Sequence, residues 1–160
     1  TFSPQRYEIW TMQSSWHNLP EFEPEGAGYQ QQPGAEFAAR DVAVSDALDA
    51  ITMDIAPAYG AVPGLGFYRC RVQLGETGLT LQEETDYPGT VALTLMSVEK
   101  PTVEGSTVQF GTLAAARVDG AVRIATEAVP ITDPRLRQAW PDTLYRTRIC
   151  FTGALTVEVQ

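Results

Sequence analysis

His17 is the only histidine among the 160 residues of this chain, and it sits in the run Ser14-Ser15-Trp16-His17-Asn18-Leu19-Pro20. A strand-like segment from Arg6 to Met12 leads into it. An imidazole titrates near neutrality, so it can serve as general base, general acid or metal ligand. A single histidine cannot make a metal site or a base–nucleophile pair with a second one. If His17 does chemistry, most of its partners come from elsewhere, and the chain reads as half of an active site.

Other chemistries find no motif. There is no second histidine and no Cys-x-x-Cys for zinc, and no Gly-x-Ser-x-Gly or phosphate-cradling glycine loop. Gly64-Leu65-Gly66 reads as a bend before a strand. Glu83-Glu84 with Asp86 has the residue types for calcium ligation or acid–base work, and reads as a solvated acidic cluster at a strand end. Cys70 and Cys150 do not make a disulfide scaffold. Cys70 runs in phase with Tyr68, Val72 and Leu74 as a small inward side chain. Cys150 runs in phase with Arg146 and Arg148 on the less apolar face of its strand.

The formal net charge is −9, and Lys100 is the only lysine beside ten arginines. Such a surface repels nucleic acid, anionic lipid and, for this domain alone, an acidic polysaccharide. No run of 18 or more apolar residues is present, so no helical membrane span is expected. The arginines alternate along strands, as in Arg69-Cys70-Arg71 and Arg146-Thr147-Arg148, which reads as solvated sheet faces.

Period-two alternation dominates the chain. It runs through 36–44, 50–55, 67–74, 79–83, 91–98, 107–110, 114–118, 122–128, 144–151 and 155–159. Short turn signals separate these runs, among them Gly75-Glu76-Thr77-Gly78, Pro88-Gly89, Asp119-Gly120 and Gly153. The expectation is one all-β domain over 1–160, an antiparallel β-sandwich of about ten strands. One short helix is expected near 133–140, capped by Thr132 or Asp133, with Pro134 in its first turn and Pro141 ending it. Leu136 and Trp140 share a face there and are expected to plug one end of the sandwich. Residues 18–34, rich in proline and glycine, read as a surface loop laid over the sheet or against a neighbouring domain.

The segment Arg6-Tyr7-Glu8-Ile9-Trp10-Thr11-Met12 followed by Ser14-Ser15-Trp16-His17-Asn18-Leu19-Pro20 resembles a motif of the heparinase II/III-like polysaccharide lyases, in which a strand ends in a His-Asn pair beside the catalytic cleft. The segment 129–136, Trp140 and Leu144-Tyr145-Arg146 are similar to that family's closing pattern, and Glu36-Phe37-Ala38-Ala39-Arg40-Asp41 between them also looks familial. After Pro20 the family's Asn-Gly turn is missing, and Gln30 or Gln31 is the candidate for its glutamine.

The resemblance implies the C-terminal β-sandwich portion of a larger lyase, without its N-terminal helical α/α-barrel domain. The opening residue, which is not a Met, agrees with a cut piece. It implies β-elimination on a uronate-containing acidic polysaccharide such as a glycosaminoglycan. In that chemistry a positive or hydrogen-bonding group offsets the charge that builds as the proton next to the carboxylate leaves. A histidine or tyrosine base takes that proton. His17 is carried over as the cleft histidine or as a zinc ligand of the full-length enzyme. Asn18, Tyr7 and Arg6 are carried over as substrate contacts. The isolated fragment is expected to be inactive, and a periplasmic or secreted location is what the family implies. The rival from another class is a non-catalytic carbohydrate-binding or structural β-sandwich module.

Overall fold

In a computed structural model, residues 8–160 are described, and they contain ten strands. In chain order these are β1 Pro20–Phe22, β2 Arg40–Val44, β3 Ala50–Asp54, β4 Tyr68–Leu74 and β5 Leu79–Thr85. They continue as β6 Val91–Ser97, β7 Pro101–Glu104, β8 Thr107–Phe110, β9 Ala114–Pro130 and β10 Thr143–Val159. Every pairing between them is antiparallel. The all-β, sandwich-like expectation holds.

The layering comes from β9 and β10, each 17 residues long and paired with one another. The first half of β10 pairs with β6 on its other side, through Tyr145↔Ser97 to Phe151↔Val91. Its second half pairs instead with β5, through Ala154↔Glu84 to Val159↔Leu79. The register between β9 and β10 shifts where the change occurs, around Phe151 to Thr156. Gly153 at φ 73° and Gly120 at φ 91° supply the bend, in a region that favours residues without a Cβ. The sheet is thus folded on itself. The β1–β6 side faces the β2–β3–β4–β5 run and the β9–β8–β7 wing.

Alternation decides which side chains enter the space between. Val91, Leu93 and Leu95 of β6 meet Leu155 and Val157 of β10 and Val108, Phe110, Ala116 and Val118 of the wing. Phe22 is fully buried, edge-on to Tyr59 at 4.8 Å, Tyr87 at 5.2 Å and Tyr68 at 5.6 Å between ring centroids. The Tyr59 hydroxyl donates to the Pro20 carbonyl at 2.6 Å, tying β1 to the turn at Ala56–Tyr59.

Four expectations are corrected. Residues Trp10–Met12 and Ser14–Trp16 form two short 3₁₀ turns rather than the end of a strand. The helix expected near 133–140 is only a 3₁₀ turn over Leu136–Gln138, because prolines on both sides leave room for little more than one turn. Residues 18–34 are not purely a surface loop, since β1 adds to β6 and seats Phe22 in the core. The alternation in 36–44 yields a strand only from Arg40, and the five residues of β2, at the edge of the sheet, are all exposed.

The arginines of β10 also depart from the solvated-face reading. Glu21 pairs with Arg148 at 3.1 Å, and Glu127 pairs with Arg146. Segment 14–16 and the chain after β1 cover this outer face, which explains why Cys150 is buried on the side shared with arginines. Cys70 and Cys150 are both free thiols.

Candidate functional site

The two 3₁₀ turns bring the sequence candidates to the surface together. The His17 N–H closes the second turn on the Ser14 carbonyl at 3.1 Å, and its exposed ring lies back over the first. Nε2 donates to the Thr11 carbonyl at 3.0 Å. In the neutral ring that bond fixes the proton on Nε2 and leaves the lone pair on Nδ1. Asn18 turns the other way. Its Oδ1 accepts the Met96 N–H at 3.0 Å, beyond the reach of β1, and so anchors the segment to the end of β6. Its role in the fold is therefore a hydrogen-bonded clip. Tyr7 and Arg6 lie outside the described residues.

Around these two residues is an open recess of about 420 Å³, walled by Trp10, Trp16 and Trp140, with Met96 and Leu144 below. Trp10 stands edge-on to Trp16, centroids 5.1 Å apart at 71°, and tilted to Trp140 at 6.3 Å. The Arg146 guanidinium lies 3.9 Å from the Trp16 ring centroid, so one face of that indole is occupied. Arg146 is held there by Glu127 and by the Ser15 carbonyl at 3.3 Å. Trp140 is 38% exposed, so it walls the recess more than it plugs the sandwich. The plug is Leu136, half-buried against Val129, Ile131 and Leu144.

The recess continues into a larger cleft of about 750 Å³ between the folded halves of the sheet. Asn18, Met96, Trp140 and Leu144 line both. The cleft is walled by Val72, Leu79 and Leu81 on one side and by Leu93, Leu95 and Phe110 on the other, and Glu83 lies within it. Val98 and Leu113 at its rim are exposed.

Glu83 is the second correction to the sequence reading of this region. It is 5% exposed rather than solvated. Burial pushes its carboxyl up to about 8, against the smaller opposing influence of the neighbouring Cys70 thiol and Tyr68 hydroxyl. Glu83 Oε2 and the Tyr68 hydroxyl are both buried and neighbour one another without the geometry of a full hydrogen bond. Burial likewise lifts the Cys70 thiol to about 12, with the Glu83 charge adding to it. Such a thiol is inert as a nucleophile near neutrality. Asp86, from the same acidic run, accepts the Gly66 and Phe67 N–H groups at 2.9 Å each and serves as a loop clasp.

Trp140, Arg146 and Glu83 are the site residues that reading by segment missed. Trp140 is 123 residues from His17, and no local pattern announces the meeting. Glu83 did carry a signal, since it continues the phase of Leu79 and Leu81. Among the described residues no group of three or more His, Cys, Asp or Glu side chains is arranged to hold a metal ion. No family model matches this chain, and no curated protein matches it.

Proposed function

We propose that this chain is a non-catalytic β-sandwich module that works by binding, with the aromatic recess as its contact site and a neutral carbohydrate as its ligand. The observation that carries this reading is the gathering of three tryptophans from segments far apart in sequence around one open recess. Sugar rings present C–H faces that lie against indole, while their hydroxyls need polar neighbours at the edge of the stack. Trp140 offers the platform, Trp10 the adjoining wall, and His17 and the Asn18 amide the polar edge. The −9 charge favours a neutral glycan over an acidic one. Tryptophan fluorescence titrated with cellohexaose and chitohexaose tests it. Saturable quenching that weakens roughly tenfold in Trp140→Ala supports the reading, and flat titrations with both oligosaccharides reject it.

A second reading keeps the lyase resemblance. It is favoured by His17 standing exposed at the same recess with a lone pair on Nδ1, the property a base or a zinc ligand needs. In that reading the chain is the C-terminal part of a heparinase II/III-like enzyme. Its own N-terminal helical domain supplies the second wall and the groups that neutralise the uronate of an acidic polysaccharide. If zinc is used, His17 is the residue of this chain that would hold it. In the full-length protein, His17→Ala then lowers the ultraviolet absorbance rate of unsaturated product by ~100-fold or more. A rate equal to wild type removes His17 from the chemistry.

A further inference from the structure

The inter-sheet cleft carries an inference separate from the glycan reading, although the two sites share a rim. Its volume of about 750 Å³ falls within the range of small-molecule sites, and its walls are apolar from both halves of the sheet. At its inner end lies Glu83, whose buried Oε2 has no partner in hydrogen-bond geometry, with the Tyr68 hydroxyl close behind the carboxyl in the same condition. Buried polar atoms are almost always hydrogen-bonded, so a carboxyl oxygen left without a partner at the base of an open apolar cleft points to one that arrives from outside. Among the described residues no lysine, arginine or histidine lines the cleft. The surrounding charge of −9 draws cations and repels anions.

We propose that this cleft binds an elongated apolar molecule ending in a primary ammonium group, whose N–H donors are received by the Glu83 carboxylate and the Tyr68 oxygen. The hydrocarbon replaces water against Leu81, Leu93 and Leu95, and the ammonium ends its path at the one carboxyl in the cleft. The titratable groups facing that carboxyl are Cys70 and Tyr68 of β4 and Tyr59 of the adjoining turn, all neutral at pH 7. Proton balance follows. The empty site holds Glu83 mostly as the acid at pH 7, so taking up an ammonium ion releases the carboxyl proton to solvent and leaves an ion pair behind. An alcohol of the same length binds the same walls without releasing a proton.

Calorimetry of the whole chain at pH 7 with octylamine, 1-octanol and octanoate, in two buffers of different ionisation enthalpy, tests the assignment. Expected are octylamine binding roughly tenfold or more tighter than octanol, release of about one proton per octylamine bound, and no octanoate binding. Glu83→Gln should remove the preference for amine over alcohol while leaving octanol binding in place. Leu95→Trp, which fills the cleft, should remove both. Equal affinity for octylamine and octanol, octylamine binding without proton release, or amine binding that survives Leu95→Trp would overturn the proposal. If Glu83→Gln fails to fold, the wild-type proton count decides. The oligosaccharide titrations read the recess separately, so a failed amine experiment leaves the glycan reading standing, and the reverse.

Discussion

Gly120 of β9 lies so close to Ala154 of β10 that a Cβ built on the glycine would sit 2.5 Å from the Ala154 carbonyl oxygen. The obstacle is backbone rather than a flexible side chain, and Gly120 also has φ 91°, where other residues are strained. This contact sits where β10 changes partner from β6 to β5 and the sheet turns back on itself. Gly120→Ala is therefore expected to cost about 1–3 kcal/mol or more. Gly153→Ala is the comparison, because Gly153 shares the positive φ (73°) but has open space around it, and it should cost less. Urea unfolding of the two variants checks the order, and equal costs would place the whole penalty in φ.

Phe22 sits in a segment whose composition reads as loop, yet it is fully buried among three tyrosines. Phe22→Ala should destabilise by about 3–5 kcal/mol, the usual loss for emptying an aromatic site in a core. A melting temperature within a degree or two of wild type would mean that β1 does not belong to the cooperative core.

Glu83 should make stability fall as pH rises. Burial raises its folded-state pKa to about 8, whereas an unfolded glutamate titrates near ~4.3. Between those values the folded chain binds the proton and the unfolded chain does not, so each pH unit upward removes stability until the trend flattens above pH 8. Glu83→Gln keeps the shape and removes the titration. Its gain over wild type should be larger at pH 8.5 than at pH 5, read from urea unfolding at both. A difference that does not change with pH would refute the buried acid.

Asp54 should act with the opposite sign. Burial alone would raise its carboxyl, but the N–H groups of Tyr68 and Ala56 and the Arg40 guanidinium together hold it below the usual value. Its stabilising contribution is complete above the unfolded pKa of about 3.9 and is lost as pH falls through the lower folded value. Asp54→Asn should therefore cost most at neutral pH and progressively less in acid. A penalty that grows in acid would contradict the pairing.

Trp140 is 38% exposed, so Trp140→Ala should cost well under the about 3–5 kcal/mol typical of a buried aromatic. Thermal unfolding measures this, and a core-sized loss would restore Trp140 as a plug.

Much of this molecule was legible in order along the chain. Alternation marked most of the strands, but the turns expected at Gly120 and Gly153 are bends inside the continuous 17-residue strands β9 and β10, because a glycine at positive φ can bend a strand without ending its pairing. Glu83 illustrates what phase alone leaves undecided. It follows Leu79 and Leu81 on one face, but its burial depends on β6 folding across that face, and β6 meets it only through the bent β10. His17 illustrates the same limit from the other direction. Its neighbours in sequence are polar and aromatic, but Trp140 and Met96 reach it from strands and turns far along the chain.

Strand existence and facing follow from a periodicity of two residues, which any short stretch of chain carries in its own side chains. Partner choice does not. The switch of β10 between β6 and β5 depends on which surfaces can be buried together and on where a bare backbone can pass another at close range. The cleft and the orphaned carboxyl arise from that switch, because both are assembled across the fold in the sheet rather than along any one strand.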